Sequence, residues 1–133
     1  MVAYSFKARF APLIASGRKT QTIRGHRKRH ARPGEPLQLY TGMRTRSCRK
    51  LLDSDPVCLR VSEITLDVPP ETGVALVMGE SDTFAPVSPS FAIADGFQDP
   101  EDFTRFWRET HGPGLFRGIM IEWSAPSRCV TPA

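Results

Sequence analysis

Residues Tyr4 to Phe10 alternate apolar and polar, with Tyr4, Phe6, Ala8 and Phe10 on one face. That period of two predicts a half-buried strand over 4–10. Pro12 suits the first turn of a short helix, Leu13, Ile14 and Ala15 supply its apolar side, and Gly17 fits its C-terminal cap. A short β-prone run follows at 20–24, then a basic loop over 25–36 that turns at Pro33-Gly34. Leu37 to Thr41 alternates again and predicts a strand. Residues 42–46 predict a turn into a further strand through Cys48 and Leu51, and Asp53 to Pro56 another turn. Val57 to Val68 predicts a long strand whose apolar phase slips between Val61 and Ile64, the mark of a bulge. Pro69-Pro70 ends it.

Val74 to Met78 fits a buried strand or a short helix, and 81–90, with Pro86 and Pro89, an irregular connection. Asp99 is placed to cap a helix with Pro100 at its first position, and Phe103, Phe106, Trp107 and His111 follow helical spacing with the aromatics toward a core. Gly112-Pro113-Gly114 stops that helix, and Leu115 to Trp123 predicts the last strand. The sum is an α+β fold: a mixed or antiparallel β-barrel of five to seven short strands with two or more flanking helices. Residues 1–124 form the one domain and 125–133 a flexible C-terminal tail.

Composition narrows the class. The chain has 133 residues, 40% of them hydrophobic, which suits a single packed domain and excludes wholesale disorder. Its apolar runs, Val74 to Met78 and Ile119 to Ile121, fall far short of the ~18 residues needed to span a bilayer. The first residues contain Lys7 and Arg9 without an apolar stretch, so no signal peptide is expected and the expected location is cytoplasmic. Cys48, Cys58 and Cys129 are then free thiols, and their spacing fits no zinc motif. Neither a metal nor a cofactor is expected.

Charge changes the picture further. The formal net charge is +4, but residues 1–50 carry thirteen basic residues and one acid, Glu35, a net +12. Residues 51–133 carry five basic residues and thirteen acids, a net −8. This asymmetry points to a polyanion partner for the basic half, or to neutralisation of one half by the other. Arginine outnumbers lysine 14 to 4, and its planar fork grips phosphate and stacks on bases.

The candidate chemistry centres on Gly17-Arg18-Lys19-Thr20-Gln21-Thr22-Ile23-Arg24. In a strand Thr20, Thr22 and Arg24 share a face, and Lys19 joins them if the chain bends where helix meets strand. Such a donor row suits a phosphate or a nucleobase. Neighbouring Arg18 and Arg24 lower the pKa of Lys19, which then serves as a general base or nucleophile, or else as a plain phosphate-binding cation. The loop residues Arg27, Lys28, Arg29 and Arg32, with the later Arg44 and Arg46, form either a solvated surface or a stripe that tracks a phosphodiester backbone. Tyr40 between the two runs is either core or a base-stacking surface. His26 and His30, four residues apart in one loop, are the only imidazoles positioned to meet in a His-dependent ribonuclease.

The run Gly17-Arg18-Lys19-Thr20-x-Thr22-Ile23-Arg24 resembles the G-x-K-T-x-T-x-R signature of the ASCH domain, a PUA-like β-barrel family. Pro33-Gly34-Glu35-x-Leu37-x-Leu39-Tyr40-Thr41-Gly42, and Asp95-Gly96-Phe97 before the Phe103–Trp107 helix, are similar to the family as well, so that the resemblance runs from about Tyr4 to Trp123. It implies a domain that binds RNA or a nucleotide beside a barrel. It also implies one of two activities. One is N(4)-acetylcytidine amidohydrolysis, with Lys19, Thr22 and the carboxylate before the late helix as the catalytic set. The other is cleavage of single-stranded RNA. Asp95 occupies the carboxylate position where the family has glutamate. A third expectation, from charge alone, is a non-catalytic interaction protein.

Overall fold

The computed structural model describes residues 2–125. All of the expected tail except Ala125 lies outside the described residues, as does Cys129. Among the described residues the fold is α+β, with eight strands in two sheets and three α-helices. Among the described residues no helix is long and apolar enough to cross a membrane.

Strand β1 (Val2–Phe6) turns Val2, Tyr4 and Phe6 into the core. It stops four residues short of the expected end, and Ala8–Phe10 form a turn of 3-10 helix that runs into α1 (Ala11–Ala15). Phe6 and Phe10 lie four apart, a spacing that serves a helical turn as well as an alternating strand, and Pro12 fixes helical φ just beyond. The end of α1 is closed by a Schellman turn. Gly17 takes φ 83°, Arg18 N donates to Leu13 O (2.9 Å) and Gly17 N to Ile14 O (3.1 Å). That turn throws the chain directly into β2 (Gln21–Arg24), which starts one residue later than expected.

Beyond the basic loop, β3 (Leu37–Thr41) pairs parallel with β1, Tyr4 beside Leu39, and the two-residue β4 (Arg49–Lys50) pairs antiparallel with β3. The second sheet has the order β2-β8-β5-β6-β7 and is antiparallel throughout. Its axis is the pairing of β5 (Cys58–Val68) with β8 (Gly114–Trp123). The bulge in β5 falls at Leu59, between Cys58 and Arg60, rather than between Val61 and Ile64. The extra residue turns outward, and the buried phase Ile64, Leu66, Val68 then runs unbroken. β6 (Leu76–Met78) resolves the ambiguous run as a strand, and β7 (Ala85–Pro86) edges the sheet.

The expected irregular connection ends in a helix, α2 (Pro89–Ala94), capped by Ser88, whose Oγ accepts from Phe91 N (3.1 Å). α3 (Pro100–His111) begins as expected, Asp99 accepting from Asp102 N (2.8 Å), and packs Phe103 and Trp107 into the core.

In place of the expected mixed or antiparallel barrel, the described residues form two sheets that do not close, joined by the isolated bridge Pro36–Val57. Closure would need a backbone ladder between β1 and β2. Instead the Arg24 guanidinium donates to Ser5 O (2.7 Å), a side chain standing where a strand pair would be. That open seam is where the main cleft lies.

A buried polar residue ties α3 to the residue that leads into β6. Buried Thr104 donates its hydroxyl to Pro100 O (2.7 Å) and accepts from Ala75 N (2.9 Å). Replacing it by Val leaves a buried amide without an acceptor, so Thr104→Val lowers stability in urea unfolding by about 1–3 kcal/mol, while Thr104→Ser keeps most of it. Equal stability of the Val variant overturns this role.

Candidate functional site

A cleft of about 430 Å³ opens at the seam between β1 and β2. Phe6 and Ser5 of β1, Thr22 and Arg24 of β2, the α1–β2 residue Lys19, and Asp95 after α2 line its polar end. Phe10, Phe97, Phe106, Trp107 and Phe116 form the aromatic remainder, with Lys7 and His111 at the rim. Lys19, Thr22, Asp95 and Arg24 are thus brought together. Thr20 is not part of this lining. Its backbone ties α2 to β8, Thr20 N donating to Ala94 O (2.9 Å) and Thr20 O accepting from Trp123 N (3.0 Å).

Lys19 is only 3% exposed. Its ammonium donates to Gln21 O (2.8 Å) and to the main-chain oxygen of Asp95. Its distance to Asp95 Oδ1, 3.9 Å, is that of an ion pair and too long for a hydrogen bond. The rings of Phe6 and Phe10 lie 5.6 and 4.9 Å away, within cation–π range. Two of its three N–H positions are therefore fixed. The third offers a proton when the amine is charged and a lone pair when it is neutral.

Burial pushes Lys19 down to about 8, against the pull of Asp95 and with help from Arg24 and Arg9. Burial pushes Asp95 up to about 6, opposed by Lys19, by a long hydrogen bond from Gln21 Nε2 (3.4 Å) and by Arg24. Each partner is moved toward its neutral form, yet between those values both stay charged. Arg24 is also pushed down by burial. Its Nε donates to Thr22 Oγ1 (3.0 Å), and its guanidinium lies 4.7 Å from the Phe6 ring and 5.5 Å from that of Tyr4.

The other basic candidates fall outside the cleft. Arg18 lines a separate cavity. Arg27 lies on the Tyr4 ring (4.4 Å) and donates from Nε to Arg29 O (2.9 Å), and Arg29 is paired with Glu35. Lys28, Arg32, Arg44 and Arg46 are exposed, Arg44 at φ 66°. Tyr40 is half-buried on β3 and donates to Gln38 Oε1 (3.3 Å). His30 stacks on Tyr4 and has both nitrogens engaged. The Gly25 carbonyl can only accept, which puts the proton on Nε2 (2.8 Å), and Nδ1 then accepts from Tyr4 O–H (2.9 Å). Its burial lowers its pKa and favours that neutral form. No group of metal-ligating side chains occurs among the described residues.

Several lining residues carry no sequence signal that marks them as such. Phe106 and Trp107 follow helical spacing and read as core, and Trp107 is both buried and exposed to the cleft at one edge. Phe116 reads only as part of the last strand. Comparison with protein-family models, curated proteins and solved structures finds no match to this chain.

Gly96 packs directly against the stem of Lys19. Its φ is +97°, and a Cβ there would stand 2.8 Å from Lys19 Cδ and 2.9 Å from Phe10 Cδ1. Gly96→Ala is expected to cost about 1–3 kcal/mol in thermal or urea unfolding and to displace Lys19. An unchanged melting temperature removes this constraint.

Proposed function

We propose that the protein is a small PUA-like, ASCH-type hydrolase of acylated nucleobases, its barrel left open at the β1–β2 seam, acting in the cytoplasm. The observation that carries this reading is one buried Lys19–Asp95 pair, with Thr22 and Arg24 beside it, at the polar end of an aromatic cleft of about 430 Å³. That volume suits a nucleoside-sized ligand, and flat aromatic walls suit a planar base.

In this reading the amide carbonyl of the acyl group enters the polar end. Neutral Lys19 accepts the proton of Thr22 Oγ, or of a water held there, as that oxygen attacks the carbonyl carbon. Arg24 Nε already donates to Thr22 Oγ1 and stabilises the oxygen as its proton leaves, and the free guanidinium N–H groups face the developing oxyanion. The Lys19 ammonium then returns the proton to the departing base nitrogen. If Thr22 is the nucleophile, water hydrolyses the acyl ester in a second step. Asp95 holds the lysine through its main-chain oxygen and tunes it through its carboxylate.

Release of cytidine from N(4)-acetylcytidine tests the reading. Lys19→Met is expected to lose at least about 10²-fold in kcat/KM. Because the neutral amine is the base, the rate rises with pH and levels off above about 8. Asp95→Asn removes the carboxylate that helps Lys19 keep its proton, so that rise moves to lower pH. Full activity in Lys19→Met sinks the mechanism.

A second reading, binding of RNA, is favoured by Lys28, Arg32, Arg44 and Arg46. Their side chains make no hydrogen bond or ion pair with another described residue. Fluorescence anisotropy with a single-stranded RNA then weakens steeply with salt, and changing these four to Gln reduces the log–log slope by about 0.7 for each phosphate left without its cation. A slope unchanged by the substitutions removes this surface from binding.

A further inference from the structure

A second cavity, of about 330 Å³, shares Phe97 with the cleft but not its chemistry. Arg9, Arg18, Gln98 and Asp102 supply its polar walls, and Leu13 contributes to its apolar side. Its two arginines come from different elements, Arg9 from the 3-10 turn and Arg18 from the Schellman turn that ends α1.

Arg9 is held in place before any ligand arrives. Its guanidinium carbon lies 5.0, 5.2 and 5.4 Å from the ring centroids of Phe10, Phe97 and Phe106, and one NH2 group donates to Asp102 Oδ2 (3.3 Å). Asp102 has further partners, Oδ2 also accepting from Gln98 N (3.0 Å) and Oδ1 from Arg105 (3.1 Å). Its negative charge is thus shared between two arginines. Arg18 has no such engagement: its side chain makes no hydrogen bond or ion pair with another described residue.

The cavity thus presents one immobilised and one unengaged guanidinium, while its single carboxylate, Asp102, is already paired with Arg9 and Arg105. Arginine forks match the tetrahedral oxygens of phosphate, and fixing one of them in advance lowers the entropy lost on binding. We propose that this pocket binds a phosphate group between Arg9 and Arg18. Binding of the anion itself is independent of the hydrolase reading, and only the nucleotide source rests on it. Two sources supply this chemistry, free orthophosphate and the phosphate of a nucleotide whose base occupies the neighbouring cleft.

Isothermal titration of the full chain at low ionic strength separates them, with inorganic phosphate and cytidine 5′-monophosphate as ligands. The variant is Arg18→Gln, an exposed position whose side chain holds nothing else in place. Arg117→Gln, an exposed arginine on β8 outside both cavities, is the control. Phosphate is expected to bind the wild type and the control alike and to weaken about tenfold in Arg18→Gln. A nucleotide affinity well above that of phosphate assigns the site to a nucleotide, and equal affinities assign it to the free anion. Absence of phosphate binding, or binding indifferent to Arg18→Gln, overturns the proposal. Turnover of acetylcytidine in the same preparations reports separately on the hydrolase reading.

Discussion

Lys19 keeps an ammonium in a place that water barely reaches, and much of the fold is arranged around that fact. A buried charge is costly unless it is paired and hydrogen-bonded. Here the compensation comes from four directions: Gln21 O at the start of β2, Asp95 O after α2, the Asp95 carboxylate, and the faces of Phe6 and Phe10. The same interactions solve a second problem. A helix leaves its last carbonyls without intrahelical partners, and α2 ends inside the protein. Thr20 N takes the Ala94 carbonyl and the Lys19 ammonium takes that of Asp95, so the run into β2 caps α2. The charge sits at the end of the helix where the carbonyl dipoles favour a cation.

This arrangement sets the shape of the cleft. Because Arg24 reaches across to Ser5 O, β1 and β2 stay apart and the seam between the sheets remains open. Aromatic rings then line what a ladder would have closed. Phe10 meets Phe97 and Phe106 edge to face, and Trp107 packs on Phe116 and His111. α3 therefore has two duties, a buried face for the core and a rim for the cleft. Gly96 permits a close approach to Lys19, since any side chain there would occupy the volume of the Lys19 stem.

Local chemistry is the legible part of the sequence. The Asp99–Pro100 start of α3, Gly17 at the end of α1, and the grouping of Lys19, Thr22 and Arg24 follow from residue types at short spacing, whereas Asp95, 76 residues from Lys19, is expected beside them only from the family resemblance. What cannot be read depends on distant partners. The parallel pairing of β1 with β3 joins segments some 35 residues apart, and it leaves β1 without a ladder to β2, which a local pattern cannot foretell. The bulge lies earlier than the apolar phase suggests because Val61 is only half-buried, so the phase there carries little force. Phe106 and Trp107 read as core because helical spacing reports which face is covered and says nothing of a cavity beside it.

The charge asymmetry of the first fifty residues takes on a different meaning once the partners are known. Arg24 and Lys19 are internal, Arg27 covers Tyr4, Arg29 pairs with Glu35, Lys50 with Asp55 and Arg9 with Asp102. A large share of the +12 therefore builds the fold around the basic loop and the cleft. What remains for a ligand is divided: Arg18, with the N–H groups of Arg9 that Asp102 does not take, at the second cavity, and Lys28, Arg32, Arg44, Arg46 and Arg49 on the open surface. Inside the cleft, Lys7, Lys19 and Arg24 face one carboxylate across aromatic walls. Such a site holds excess positive field in a poorly solvated slot, where it acts more strongly than on the surface. The proposed hydrolysis would draw on that field, because an amide carbonyl gains negative charge when an oxygen adds to it.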